Sequence, residues 1–163
     1  MRIFSKLALI SILFITFSCN LIEKDDKNFS LQDLHGIWEL SRYQQESQLF
    51  YVDTYEFKED GTFENRSTAR QQNNNMDLGY NSITNGTYRL LGNVLTLTGD
   101  QFLTLPEGST VWYTAPDNLV GSDWNIEREY TIALKERKSQ LQLEYKCAPN
   151  ELCSTSPITY FRK

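Results

Sequence analysis

An alternation of period two, broken at short intervals by turn residues, limits this chain more than any other feature. Tyr51, Asp53, Tyr55 and Phe57 alternate with Val52, Thr54, Glu56 and Lys58, and Glu59-Asp60-Gly61 follows at once. Successive side chains on a strand point to opposite faces, so such a run has one apolar and one polar side. Asp-Gly between two alternating runs is a strong hairpin signal, and residues 62–69 read as the return strand. Residues 87–91, the pair Gly92-Asn93 and residues 94–98 read as a second hairpin. Tyr130, Ile132 and Leu134 lead into a turn at 136–139, and Leu141, Leu143 and Tyr145 lead back. Ile158, Tyr160 and Arg162 form a last strand. Beyond the N-terminal leader, the only helix predicted is one turn over residues 31–34, with Ser30 as its N-cap.

About eight or nine short strands joined by tight turns, without crossover helices, require antiparallel neighbours. Each strand has one apolar face to bury. An up-and-down barrel buries all of them and removes the sheet edges. A sandwich would bury them too, but strictly sequential hairpins favour the meander barrel. The expected fold is therefore all-β, with little helix.

The first residues carry a different signal. Arg2 and Lys6 precede an apolar run over residues 7–17, and Ser18-Cys19 follows. Eleven residues are too few to cross a bilayer core, which takes about twenty, and the order of basic head, apolar run and small residue is that of a secretory leader. Small residue then cysteine resembles the lipobox of bacterial lipoproteins, although Thr16 stands where Leu, Val or Ile is common. That resemblance implies cleavage after residue 18 and diacylation of Cys19, with an outer-membrane location on the periplasmic face or the cell surface. The bland alternative is a soluble export signal with an incidental cysteine. Two acyl chains suffice for stable anchoring. Residues 19–30 then form the lipidated cysteine and a polar tether, and residues 31–163 one domain. Within the tether, Lys24-Asp25-Asp26 resembles the surface-export signal of some Bacteroidetes lipoproteins, though an ordinary solvated linker reads the same way.

Removing residues 1–18 takes away Arg2 and Lys6 and no acid, so the net charge moves from -5 to -7. An acidic domain has no electrostatic footprint for nucleic acid, and anionic headgroups would repel it. The lipid on Cys19 would have to hold it at the bilayer.

A family resemblance joins the two chain ends. His35-Gly36-Ile37-Trp38 resembles the opening G-x-W of lipocalins, and Arg162 stands where that family places an arginine after the last strand. Residues 57–63, 86–90 and 95–97 are similar to the lipocalin-like domains of Bacteroidetes lipoproteins. The resemblance implies a barrel floor in which Gly36 opens the first strand, Trp38 is buried and Arg162 packs across its indole. The helix that follows the barrel in lipocalins has no counterpart here, and the middle lipocalin motif is reduced to Glu129-Tyr130.

The usual catalytic machinery is sparse. His35 is the only histidine, so neither a conventional triad nor a multi-histidine metal cluster can be built. Asp123, Asn125 and Glu127 have the alternate spacing of calcium ligands but no loop pattern to complete it. No Gly-rich phosphate cradle is present, and no cofactor is expected. Cys147 and Cys153 flank a short segment; free thiols are disfavoured in an exported chain and no further metal ligands accompany them, so a disulfide is expected.

Residues 71–79 and 115–127 read as long polar loops, and Trp112, Tyr113 and Trp124 form the densest aromatic group. If Trp112 and Tyr113 are adjacent on a strand, one ring points inward and packs in the core. At a barrel mouth the same rings suit a sugar or an apolar ligand. The expectation is a noncatalytic, monomeric binding lipoprotein for a small apolar, amphipathic or glycan ligand or a protein partner, with Trp112, Tyr113 and Trp124 as contacts. The alternatives are a small barrel enzyme using carboxylate or tyrosine residues at the mouth, or a structural accessory of an outer-membrane complex.

Overall fold

The computed structural model describes residues 30–72, 76–122, 126–147 and 156–163. The leader, Cys19, Asn125, Asp123, Trp124 and Cys153 lie outside them. One helical turn, α1 (Leu31–Leu34), precedes β1 (Gly36–Gln44), β2 (Leu49–Phe57), β3 (Thr62–Gln71), β4 (Asp77–Leu91) and β5 (Val94–Thr104). A 3-10 turn at Pro116–Asn118 is followed by β6 (Val120–Ser122), β7 (Ile126–Lys135), β8 (Gln140–Tyr145) and β9 (Ile158–Arg162).

All strands belong to one antiparallel sheet whose hydrogen bonds run in a ring. From β1 the order is β2, β3, β4, β5, β7, β8 and β9, and β9 returns to β1 through Trp38–Arg162 and Glu39–Phe161. The short β6 continues the edge that β7 occupies, pairing with the far end of β5 at Phe102, Leu103 and Thr104. A single ring of sequential neighbours is the meander barrel and excludes two facing sheets.

Three strands are longer than their alternation indicates. β3 runs to Gln71, β4 starts ten residues before Thr87, and β5 continues to Thr104. The loop expected over residues 71–79 shrinks accordingly, and that expected over 115–127 contains the 3-10 turn and β6. The reason is visible in the register, which shifts between Ser67 and Thr68, between Ala69 and Arg70, and between Asn85 and Gly86. A bulge adds a residue to one strand and reverses the phase of everything beyond it, so the period-two pattern fades while the pairing continues.

Paired residues share a face, and the inward rows meet around the ring: Trp38 with Tyr55, Tyr88 with Leu97, Leu95 with Tyr130, Ile132 with Leu143, and Leu141 with Tyr160. These side chains, with Leu34, Phe57, Phe63 and Leu134, form one buried cluster. Burial of this apolar area is the main term holding the barrel, at about 25 cal/mol per Å².

Strand direction sends alternate connections to opposite ends. The turns at 58–61, 92–93 and 136–139 lie with α1 and Arg162 at one end. There Trp38 is fully buried and its Nε1 donates to the Leu34 carbonyl at 2.7 Å. The Arg162 guanidinium lies 4.2 Å from the centre of its ring. That same guanidinium donates to the carbonyls of His35 at 2.8 Å, Lys138 at 3.1 Å and Asp33, tying α1, the β7–β8 turn and the last strand together. Gly36 opens β1 with a φ of 111°, and a Cβ there would sit 3.3 Å from Arg162 Nη1, so the site calls for glycine on both counts. Arg162 is itself solvent-exposed, which puts its cation–π contact at about 0.5–1 kcal/mol.

Ser30 caps α1 in an extended conformation, and the Asp33 carboxylate accepts from the Ser30 N–H at 2.8 Å and hydroxyl at 3.0 Å. Lys138 Nζ reaches the same carboxylate at 2.8 Å. The bond from Lys138, then that from the Ser30 backbone, hold the Asp33 carboxyl down at about 2 against an ordinary 3.8. A depressed carboxyl adds stability above its unfolded pKa and loses it as pH falls through the folded one. The melting difference between wild type and Asp33→Asn is therefore expected to be full at about pH 5 and to close between about pH 4 and pH 2. A difference that persists unchanged at pH 2 would show that the carboxylate charge plays no part.

Candidate functional site at the open end of the barrel

Residues 45–48, 72, 76, 105–119, 146–147 and 156–157 lie at the end opposite Trp38. Inward positions turn polar in this direction. Tyr55 is the register partner of Trp38 on the neighbouring β2, stacked on Phe57 at 5.6 Å and edge-on to Tyr160 at 5.3 Å. Tyr130 packs against Tyr145 at 5.7 Å, and its side chain hydrogen-bonds that of Tyr55. Burial, reinforced by neighbouring tyrosines, pushes the Tyr55 hydroxyl well above its usual range. Burial first, then the nearby Asp53, does the same for Tyr160. Both hydroxyls stay protonated near neutral pH, where they serve as hydrogen-bond groups and are poor nucleophiles or bases.

Above these rings lies a cavity of about 30 Å³, walled by Tyr55, Tyr130, Phe63 and Leu97 and bearing the polar groups of Asn65, Thr84 and Arg128. Beneath it the rings of Tyr55, Phe57, Phe63, Tyr88, Tyr130 and Tyr160 belong to the one buried cluster. The cavity accepts a few atoms rather than a long chain, since pockets that swallow a drug-sized ligand run to about 300–1,000 Å³. Arg128 shares the inward row of β7 with Tyr130, and its register partner is Leu97 on β5. Asn65 Nδ2 donates to the Thr54 carbonyl at 3.3 Å, which fixes the orientation of its amide.

Trp112 and Tyr113 belong to the 105–119 connection and not to a strand, so the expected inside–outside alternation does not apply to them. Their segment pairs with the sheet through one backbone bridge, in which Tyr80 and Thr114 exchange hydrogen bonds at 2.8 and 2.9 Å. Tyr113 is half-buried on Gly79, where an added Cβ would lie 2.8 Å from its ring. Trp112 is 64% exposed, held through its carbonyl by Asn81 Nδ2 at 3.2 Å. The two residues stand at the open end, while Trp124 lies outside the described residues. Met76, Leu78, Val111 and Val120 are also exposed at this end.

Other candidates have structural occupations. Asp60 accepts from the Thr62 N–H at 2.9 Å and hydroxyl at 2.6 Å, bonds that lower its pKa and close the β2–β3 turn. His35 sits at the closed end with Nε2 buried and without a hydrogen-bond partner among the described residues. Cys147 is disulfide-bonded, and Cys153 lies outside the described residues. Among the described residues no three His, Cys, Asp or Glu side chains are placed to hold a metal ion.

The residues that sequence reading passed over are Arg128, Asn65 and Thr84. A signal for the first was present: in Arg128-Glu129-Tyr130-Thr131-Ile132 the cation occupies the apolar phase of the alternation. Compared with known proteins, the chain matches no family model, no curated protein and no solved structure.

Proposed function

We propose that this chain is a membrane-anchored, noncatalytic binding lipoprotein of lipocalin-like type, held through acylated Cys19, whose open end takes a small ligand or a partner. The observation that carries the reading is the difference between the two barrel ends. One is sealed by Trp38, Arg162 and α1; the other combines a polar recess with exposed Trp112, Val111, Met76 and Leu78. Apolar rings and a few fixed polar groups at one mouth are the usual makings of a small-molecule site.

The tether agrees with this. Ser30 stands at the closed end, so residues 19–29 join the domain there and the mouth lies at the far end of strands such as the nine-residue β1, about 30 Å away. A ligand or partner would then be met on the side away from the bilayer. The small recess above the buried rings favours a small or partly exposed ligand over a long acyl chain.

Native mass spectrometry of protein purified from its source membrane tests the proposal. The expected spectrum carries a diacylated N-terminal cysteine and a retained small mass that is lost on denaturation. A chain that retains its leader, or a ligand-free protein that turns over a substrate, would overturn it.

A further inference from the structure

We infer that the outer edge of β1 over residues 41–44 receives an extended segment of a partner protein as an added strand. This surface lies on the barrel wall, apart from the recess at the mouth, and does not depend on the binding reading above. β1 pairs with β2 over its whole length, from Gly36 to Gln44. With β9 it pairs only through Trp38–Arg162 and Glu39–Phe161, and the Lys163 N–H adds one bond to the Ile37 carbonyl at 3.0 Å. Backbone groups alternate sides along a strand, so Ile37 and Glu39 face β9, and Ser41 and Tyr43 come next in that row. Their N–H and C=O groups point away from β2 and have no partner among the described residues. The ring is thus closed near its floor and carries a seam above Glu39.

The two lips of the seam differ. Pro157 precedes β9 in the row that faces β1, and it has no N–H to offer. The β1 lip holds neither Pro nor Lys, the residues that commonly guard an edge, and Ser41, Arg42, Tyr43 and Gln44 are all exposed. A row of unpaired main-chain donors and acceptors is what an added strand satisfies.

Side chains set the chemistry of the occupant. Tyr43 and Phe161 face outward beside the seam, 44% and 50% exposed, and Phe50 backs the Tyr43 ring at 5.2 Å. Arg42 lies on the inward face. Asp53 shares that face, yet among the described residues no acid forms an ion pair with Arg42. An extended segment with apolar residues on one face and an acid on the other meets both rows. A second copy does not fit. The antiparallel pairing that joins Ser41 of each copy to Tyr43 of the other sets Arg42 directly opposite Arg42, and like charges so placed are destabilising.

The probe is the capped peptide Val-Glu-Val-Glu-Val, added to the intact protein while amide exchange is followed residue by residue by NMR. Without peptide, the Ser41 and Tyr43 amides are expected to exchange faster than those of Leu40 and Arg42, which bond to β2. The peptide should slow Ser41 and Tyr43 and leave the other two unchanged. N-methylation of the peptide at alternate residues should weaken binding by about tenfold or more, as loss of about two backbone hydrogen bonds implies. Val-Lys-Val-Lys-Val should also bind more weakly, because it sets lysine against Arg42. Tyr43→Pro removes an edge N–H and no bond to β2, so it should melt close to wild type and lose the peptide. The N-methylated peptide makes the same test on the wild-type chain, whether or not that variant folds. Ser41 and Tyr43 amides as slow as their neighbours in the free protein would overturn the inference. So would absence of binding, or binding that leaves those two amides unchanged. Protection that rises with protein concentration alone would overturn it in favour of a second copy.

Discussion

Trp38→Ala is expected to destabilise the domain by about 3–5 kcal/mol, the cost of emptying a large aromatic site that cannot collapse. For a domain of this size that corresponds to a fall in Tm of roughly 10–20 °C. Three losses coincide at this position. Trp38 has no exposed surface, its Nε1 is the donor that satisfies the Leu34 carbonyl, and its ring is the platform beneath Arg162. Trp38→Phe keeps much of the apolar area and drops the N–H, so it should fall between wild type and alanine. Arg162→Lys is the complementary variant: a point charge can replace the cation but not a fork that reaches the carbonyls of Asp33, His35 and Lys138 together. A Trp38→Ala protein melting within two or three degrees of wild type would mean that the floor does not hold the barrel closed.

Gly86→Ala is expected to cost about 1–3 kcal/mol or more, as overpacking at a site that cannot yield. A Cβ at residue 86 would stand 2.0 Å from the Thr98 carbonyl oxygen and 2.9 Å from the Gly99 Cα. Both are backbone atoms, so relief requires β4 and β5 to part. The position faces Phe63 on one side and Gly99 on the other, beside the register shift after Asn85. Gly121→Ala supplies the control, because nothing lies within 4 Å of a Cβ there and its stability should be unchanged. Equal melting temperatures for the two variants would show that the bulge can relax without loss.

Gly86 also illustrates where local reading stops. Asn85-Gly86 is the dipeptide that most strongly favours a two-residue hairpin, yet here it lies inside β4, which runs from Asp77 to Leu91. What glycine supplies there is the missing Cβ, which lets the Thr98 carbonyl approach beside the register shift, and pairing with both β3 and β5 carries the strand across. Where no bulge intervenes, sequence and structure agree closely. The Glu59-Asp60-Gly61 and Gly92-Asn93 turns join the strands that their flanking alternation indicates.

The candidate site was legible in part. Trp112 and Tyr113 stand at the open end, but the connection that carries them is held on β4 by the Tyr80–Thr114 bridge, Asn81 and Gly79, and no periodicity in residues 105–119 could convey that. Arg128, Asn65 and Thr84 come from three strands and converge only once the ring is closed.

The sequence by itself determined the all-β class, the sequential order of the hairpins and the inward phase of the core, because these depend on neighbours two to ten residues apart. The tertiary structure alone decided the strand lengths beyond each bulge, the packing of Tyr55, Tyr130 and Tyr160 in the buried cluster, and the cavity left above them. Those outcomes depend on which residues face each other across the ring, a relation set by register and closure and invisible to any local pattern.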